Sequence, residues 1–430
     1  ADEWMDAIEE VGLAASTSDG RGYECGIAFV HELHVTLAQG MAPLLEKLRE
    51  RLNVQTLVGC AVTGAIGQAA GAKACEFGGG AEGGDWPPIE VESSNAVLSV
   101  ALMREAGATP FFLGQDGEGD IELVARMASQ GSVKSMLLIA DPFAPVEEIL
   151  QKLDSSFPQA VKAGGVAMAL QVGGEERGAF MPSVAIASAG VPVRLLSQGV
   201  AGLMLSDMEV HTIVCQGCCG AGPPVKVSAT EGPVLTGIGG RPANEALRLI
   251  FSSVDEALRA KMQQFLTVGL GRVGERETQV GDGDWLIRAI SGVTPQGGLL
   301  VGSDLEVGQP LRFHVRDRAS ADADRQLMLK RYRLEKALGD IKGEAAGCIL
   351  FTCNGRGESL FGKRHVDARA AVEAIGDACG SRVAGFHCNG ELGAPGLAVP
   401  GADAKVRETA VHGFTAVYAV LIPSKPPAAE

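Results

Sequence analysis

The sequence has few aromatic residues, few positive charges and no long apolar run, and each shortage excludes a class of protein. Lys and Arg total 37 against 52 Asp and Glu, which gives a formal net charge of −15. A nucleic-acid-binding face needs clustered Lys and Arg to release counterions, and the sequence shows no Lys/Arg run that would make such a face, so we expect no nucleic-acid partner. The longest apolar run, residues 414–422, is much shorter than the ~18 residues of a membrane-spanning helix, which predicts a soluble protein without a membrane span.

Cysteine is also scarce, with ten in 430 residues, far below the density of a disulfide-stabilised scaffold. Cys60 and Cys348 lie inside apolar runs, where a free thiol behaves as a small hydrophobic side chain. This usage predicts an intracellular, reducing compartment, which is either the cytoplasm or an organelle reached after removal of a targeting segment.

One composite unit occurs three times along the chain: a strand, a helix, a glycine-bearing strand and a more distant strand. The helices are predicted from apolar residues at helical spacing. The strands are predicted from short apolar runs between glycine-containing turns. The first copy covers residues 26–30, 40–52, 57–60 and 96–102, the second 135–140, 146–153, 163–166 and 201–205, and the third 347–351, 367–379, 383–386 and 415–422.

The repeated unit predicts an α/β (or α+β) fold with layered sheets flanked by helices. In the first and third copies the glycines have identical spacing, which indicates a shared structural unit. Residues 225–320 are mostly strand-like, with one helix predicted over residues 243–258. The matching glycines are Gly59, Gly64 and Gly67 in the first copy and Gly385, Gly390 and Gly393 in the third.

The third copy carries the strongest group of polar residues, which follow its two consecutive strands. If those strands are neighbours in the sheet, both polar turns open at the same edge. We therefore predict a ligand-binding site there and no catalytic or metal site. Its six candidate residues are Cys353, Asn354 and Arg356 after the first strand and His387, Asn389 and Glu391 around the end of the second.

Two interpretations of Arg356 and Glu391 remain open from the sequence. An Arg flanked by glycines can expose its planar guanidinium to a carboxylate, and Glu391 can bind an ammonium group, so the pair fits a small zwitterion. Equally, the two side chains can form a structural ion pair between the turns. Asn354 and Asn389 would supply neutral hydrogen bonds in the first case.

A second cysteine group has the spacing Cys-x-x-Cys and lies four residues after His211. Zinc would require further ligands close in space, and a redox role would favour a helix after the first thiol. Buried or turn thiols are the alternative. The group comprises Cys215, Cys218 and Cys219.

Five segments, taken in order, resemble the FIST family. The resemblance extends over residues 25–422, and it identifies a FIST N-terminal module over residues 25–242 and a FIST C-terminal module over residues 243–422. The chain differs from the family at Cys219 and Gly220, where Arg followed by Pro is common. The segments are residues 214–218, 240–243, 351–357, 384–392 and 412–415.

The resemblance implies a sensory, small-molecule-binding module in signal transduction, with an amino acid or similar polar metabolite as ligand and a separate output or scaffold protein as partner. A non-catalytic scaffold that docks a partner through an acidic surface is the alternative. We expect no cofactor, although some bacterial members resemble haem-binding sensors, for which His387 and His412 are the candidate ligands. The sequence lacks common hydrolase motifs, which leaves a Cys353–His387 pair as the candidate for a thiol enzyme.

Overall fold

The computed structural model is a mixed α/β protein, as the sequence predicts. It describes residues 3–15, 22–67, 89–91, 97–115, 118–171, 180–281, 283–375, 382–400 and 408–424. Within these ranges, no helix combines the length and apolar character needed to cross a bilayer. The helices are α1 (Glu3–Ala15), α2 (Glu32–Leu37), α3 (Met41–Arg51), α4 (Ile121–Gln130), α5 (Val146–Ser156), α6 (Ala243–Ser253), α7 (Glu256–Gln264), α8 (Arg318–Leu338), α9 (Glu358–Phe361) and α10 (Val366–Ile375).

Most strands belong to four sheets of five to seven strands each. Strands from the first half of the chain are β1 (Tyr23–His31), β2 (Val54–Val62), β3 (Ala65–Gly67), β4 (Ile89–Val91), β5 (Leu98–Met103), β6 (Ala108–Gly114), β7 (Ser135–Ala140), β8 (Val161–Val166), β9 (Leu170–Gln171), β10 (Phe180–Met181), β11 (Val184–Ser188), β12 (Arg194–Leu196), β13 (Gly199–Leu205) and β14 (Met208–Cys215). Those from the second half are β15 (Cys218–Glu231), β16 (Val234–Ile238), β17 (Arg241–Pro242), β18 (Leu266–Leu270), β19 (Leu286–Val293), β20 (Leu299–Val301), β21 (Pro310–Arg316), β22 (Gly347–Cys353), β23 (Val383–Cys388), β24 (Glu391–Gly393), β25 (Leu397–Ala398), β26 (Ala410–His412) and β27 (Ala416–Pro423).

The chain forms two compact units, which are a different division from the two sequence modules. The first unit contains residues 1–214, 329–411 and 416–430, and the second contains residues 215–328 and 412–415. All three copies of the repeated unit lie in the first compact unit. Their elements define repeat A (β1, α3, β2, β5), repeat B (β7, α5, β8, β13) and repeat C (β22, α10, β23, β27).

The three repeats have the same topology, which confirms the repetition predicted from the sequence. In each, the first strand pairs in parallel with the second, and the helix between them makes the crossover that a parallel pair requires. The other edge of the first strand pairs antiparallel with the distant strand, which is β5, β13 or β27. The predicted helix over residues 367–379 is α10 as far as Ile375, and residues 376–379 lie outside the described residues.

The repeats are also linked in a cycle. The second strand of each repeat has one edge that is not paired within the repeat. An antiparallel strand pairs with that edge, and this strand comes from the segment after the second strand of a different repeat. Thus β3, which follows β2 of repeat A, pairs with β23 of repeat C, and β24, which follows β23, pairs with β8 of repeat B. The strand β11, which comes after β8 in the chain, pairs with β2 of repeat A and completes the cycle.

A shared apolar core joins the sheets of the three repeats. Phe29 of repeat A stacks on Phe386 of repeat C at 5.1 Å between ring centroids and meets the edge of Phe351 at 6.5 Å. Leu137 and Ile139 of repeat B belong to the same buried cluster. Because close-packed interiors resist deformation, this core fixes the strand ends of the three repeats relative to one another.

The second compact unit contains the predicted strand-rich region. Seven strands form its sheet in the order β15-β21-β18-β19-β20-β16-β17. The prediction of a single helix over residues 243–258 was wrong, because α6 ends at Ser253 and α7 begins at Glu256. Asp255 separates them because its side chain accepts a hydrogen bond from the Leu258 amide at 2.8 Å and caps the new helix.

Candidate functional site

The two polar turns of repeat C open at one sheet edge, as predicted. Strands β22 and β23 are parallel neighbours, with Cys353 in register with Cys388 at their carboxyl ends. Asn354 and Asn389 follow, both exposed, and Asn354 Nδ2 donates to Asn389 Oδ1 at 2.6 Å. Cys353 is half-buried beside them.

Hydrogen bonds continue from these asparagines to the strand ends of the other repeats. Thr63 follows β2 of repeat A, and its Oγ1 donates to Asn354 Oδ1 at 2.9 Å. Asn389 Nδ2 donates at 3.1 Å to the carbonyl of Ala167, which follows β8 of repeat B. We call Thr63, Ala167, Asn354 and Asn389 the polar rim. It brings the carboxyl ends of strands from all three repeats together.

His31, the last residue of β1, is buried and caps α2 by accepting a hydrogen bond from the Leu33 amide at Nδ1. Burial lowers the pKa of this histidine and outweighs the opposing effects of Glu32 and of the Thr63 backbone. We therefore expect a neutral imidazole at neutral pH, so this end of repeat A adds no charge beside Thr63.

Arg356 is not exposed to solvent, which corrects the expectation that its guanidinium faces a crevice. Only 1% of Arg356 is exposed, and its Nε and Nη2 donate to the two carboxylate oxygens of Asp367 at 2.7 and 2.9 Å. Asp367 also accepts from Thr352 Oγ1 at 3.0 Å and from Tyr418 Oη at 3.1 Å. The guanidinium lies 5.2 Å from the ring centroid of Phe361. Arg356 therefore forms a buried ion pair with Asp367, and a contact between Arg356 and Glu391 stays a prediction.

Glu391 is likewise buried, and no part of it is exposed. It lies in β24, in register with Gly165 of β8. Burial raises the pKa of the neighbouring Cys388 thiol well above its ordinary value, and the negative charge of Glu391 raises it further. In this conformation a ligand outside the rim therefore meets neither the guanidinium of Arg356 nor the carboxylate of Glu391.

The hypothesised Cys353–His387 pair is also not formed. His387 is in register with Thr352, and register partners share a face of the sheet while successive residues alternate between faces. Cys353 therefore lies on the face opposite to His387. His387 itself is 5% exposed, and its backbone amide donates to the Gly64 carbonyl at 3.0 Å.

The two histidines considered for haem are buried in this conformation. His387 and His412 are 5% and 2% exposed, and a haem site at either one stays a prediction. In the described part of the chain, no group of three His, Cys, Asp or Glu side chains is arranged to hold a metal ion.

Among the residues that the structure describes, the second cysteine group likewise has no further ligands arranged around it to hold a metal ion. Cys215 is buried, whereas Cys218 and Cys219 are half-buried at the beginning of β15. Cys219 Sγ lies 3.6 Å from Asp317 Oδ2 and donates to it. The eight described cysteines are free thiols, and a redox role for this group stays a prediction.

Burial of His211 makes stability depend on pH. Its Nδ1 lies 3.2 Å from Tyr332 Oη, and Glu209 Oε2 is 4.0 Å from Nε2. Burial, together with the positive charge of Lys336, lowers the pKa of this histidine from 6.5 to about 4. The unfolded chain therefore binds a proton at higher pH than the folded chain, and stability falls as pH decreases from 6.5 to about 4.

We expect this effect to reach up to about 3 kcal/mol for His211 alone. Urea unfolding of the wild type and of His211→Gln at neutral pH and near pH 4 measures it. The wild type should lose more stability than the variant on acidification, and parallel losses would contradict the assignment.

Sequence analysis did not identify Thr63, Ala167 or Asp367. The equal glycine spacing contained a signal for the first, because Thr63 precedes Gly64 as Asn389 precedes Gly390. No comparable signal indicates the Ala167 carbonyl, since any residue type supplies one. The partner of Arg356 depends on how α10 packs against β22, which the local sequence does not specify.

Comparisons with known proteins agree with the resemblance seen in the sequence. Family models described as the FIST N domain and the FIST C domain match residues 25–241 and 243–394. An uncharacterized protein of Mycobacterium bovis is 32% identical over 342 residues, which cover 77% of this chain and 79% of the relative. An uncharacterized protein of Mycobacterium tuberculosis is 33% identical over 294 residues, 66% of this chain and 67% of the relative. FIST domains are associated with sensory functions in signal transduction, and this chain belongs to the FIST family.

Proposed function

We propose that this protein is a sensory module that binds a small polar metabolite at the polar rim and acts through a separate partner protein. The observation that carries the proposal is the meeting of strand ends from three repeats at one hydrogen-bonded edge. In α/β folds, ligands bind outside the carboxyl ends of parallel strands, where turn residues are held by a rigid sheet. The shared core beneath the rim supports such preorganisation.

The rim retains hydrogen-bonding capacity for a ligand. Each asparagine amide has two N–H donors and an oxygen that accepts two hydrogen bonds. Asn354 and Asn389 each use one donor and one acceptor position within the rim, and both side chains are exposed. Each therefore keeps one donor and one acceptor for a bound molecule.

These groups favour recognition of neutral hydrogen-bonding groups, such as an amide or hydroxyl of the metabolite. Arg356 and Glu391 do not provide charged contacts for a ligand at the rim, because both side chains are buried. An amino acid is one candidate ligand. Its carboxylate can accept hydrogen bonds from the asparagine N–H groups of the rim, or a polar side chain of the amino acid can contact the rim. Cys353 lies at the edge of this surface.

Titration calorimetry with a panel of amino acids, amides and polyols tests the proposal. We expect Asn354→Ala and Asn389→Ala each to weaken binding about fivefold, because each variant loses roughly 1 kcal/mol of neutral hydrogen bonding. Gln151→Ala, which removes an exposed amide from α5, is the matched control and should bind like the wild type.

Equal binding by all variants would place the ligand elsewhere. Failure of the wild type to bind any member of the panel, together with a native mass spectrum free of small molecules, would favour the scaffold without a ligand.

A further inference from the structure

The outward face of α8 carries a row of exposed leucines. Leu327, Leu334 and Leu338 are 64%, 55% and 68% exposed. Their spacing of seven and then four residues places them on one stripe of the helix, roughly 16 Å long. Single exposed leucines are ordinary on protein surfaces, whereas three in one row form a contiguous apolar contact. We call these three residues the leucine stripe.

The stripe lies among positive charges, although the whole chain is acidic. Between residues 325 and 338 there are five Lys or Arg residues and one Glu. Arg331 and Lys336 form ion pairs with Glu335 and Glu344. By contrast, the exposed Lys330 and Arg333 form no ion pair or hydrogen bond with any described residue.

We propose that the leucine stripe docks an acidic amphipathic helix of a separate protein. Apolar side chains at helical spacing on such a partner would cover the stripe, and its flanking Glu or Asp would pair with Lys330 and Arg333. The surface around the leucine stripe is thus positively charged, whereas the net charge of the whole chain is negative. The proposal does not depend on the ligand at the polar rim.

Two other occupants fit the observations less well. A second copy docking α8 against α8 would bring like charges together, because both helices are basic in this region. A lipid surface also attracts basic amphipathic helices, but lipid-binding segments commonly carry clusters of about four to eight Lys or Arg. Here Arg325, Arg331 and Lys336 already form ion pairs within the chain. Both alternatives are separate outcomes of the test.

The probe is a fluorescein-labelled peptide with Leu at positions i, i+4, i+7 and i+11 and Glu at its flanks, compared with the same peptide carrying Lys for Glu. Fluorescence anisotropy with the full chain should show at least tenfold tighter binding of the acidic peptide, and higher salt should weaken it. Leu327→Gln/Leu334→Gln should reduce binding at least tenfold. Lys330→Gln/Arg333→Gln should remove most of the salt dependence.

The matched control is Leu195→Gln/Leu249→Gln, which replaces two exposed leucines outside α8 and should bind like the wild type. Circular dichroism of each variant verifies that α8 and the fold are retained. No binding of the acidic peptide, or equal loss in the control, overturns the proposal. So does a wild-type dimer that Leu327→Gln/Leu334→Gln converts to a monomer, or stripe-dependent binding to phosphatidylserine vesicles in place of the peptide.

Discussion

Replacing Arg356 with Met is expected to lower the free energy of unfolding by about 3–5 kcal/mol. The change leaves the Asp367 carboxylate buried and removes its Arg356 guanidinium, while Thr352 and Tyr418 still donate hydrogen bonds to it. A buried ion pair that loses one partner retains the desolvation cost of the other. Urea unfolding followed by circular dichroism measures the loss.

Arg364→Met is the matched control, because Arg364 forms an ion pair of the same length, 2.7 Å, with Glu358 at the surface. Exposed pairs contribute about 0–1 kcal/mol, so this variant should unfold almost like the wild type. Similar small losses for the two variants would contradict a structural role for Arg356. A folded Arg356→Met protein that loses only ligand binding would restore the sequence-based interpretation of this residue.

Gly164→Ala and Gly385→Ala should each destabilise the protein by about 3 kcal/mol or more. The two glycines occupy equivalent positions in repeats B and C, in register with Leu138 and Leu350 of the preceding strand. A Cβ atom at either glycine would collide with the backbone carbonyl of that register partner. A backbone carbonyl cannot rotate out of the contact as a flexible side chain can. The two parallel strands must therefore move apart to accommodate the Cβ atom. Thermal unfolding measures the effect.

Gly302→Ala is the control for this pair, because a Cβ there meets no atom within 4 Å and the backbone angle suits an ordinary residue. Its unfolding temperature should stay within a few degrees of the wild type. A wild-type melting temperature for Gly164→Ala or Gly385→Ala would show that the repeats do not need close approach of these strands.

The repeats were predictable because each depends on local patterns. Short apolar runs, one-sided helices such as α3 and a glycine-bearing second strand recur along the chain, and parallel pairing follows once a helix connects two such strands. The neighbouring positions of Asn354 and Asn389 followed from the same logic. The pairing of β3, β24 and β11 with strands of other repeats was not predictable. These strands are short, and so few residues give no clear hydrophobic pattern in the sequence.

The role of Arg356 was not predictable, and the reason is physical. Gly355 and Gly357 allow the turn to direct the side chain either to solvent or beneath the sheet edge, so the local sequence is compatible with both. The choice is made by Asp367 at the beginning of α10, together with Tyr418 on β27. The latter residue is about sixty positions away in the chain, and a single sequence does not reveal such long-range partners.

Nuclear magnetic resonance of asparagine side chains tests most directly whether the three repeats build one ligand site. The chain has only five asparagines, so selective ¹⁵N labelling yields five side-chain amide pairs. Titration with the tightest-binding compound of the calorimetric panel should shift the amide signals of Asn354 and Asn389, while those of Asn53 and Asn244 stay in place. Saturating binding that leaves the two rim signals unmoved would contradict the account.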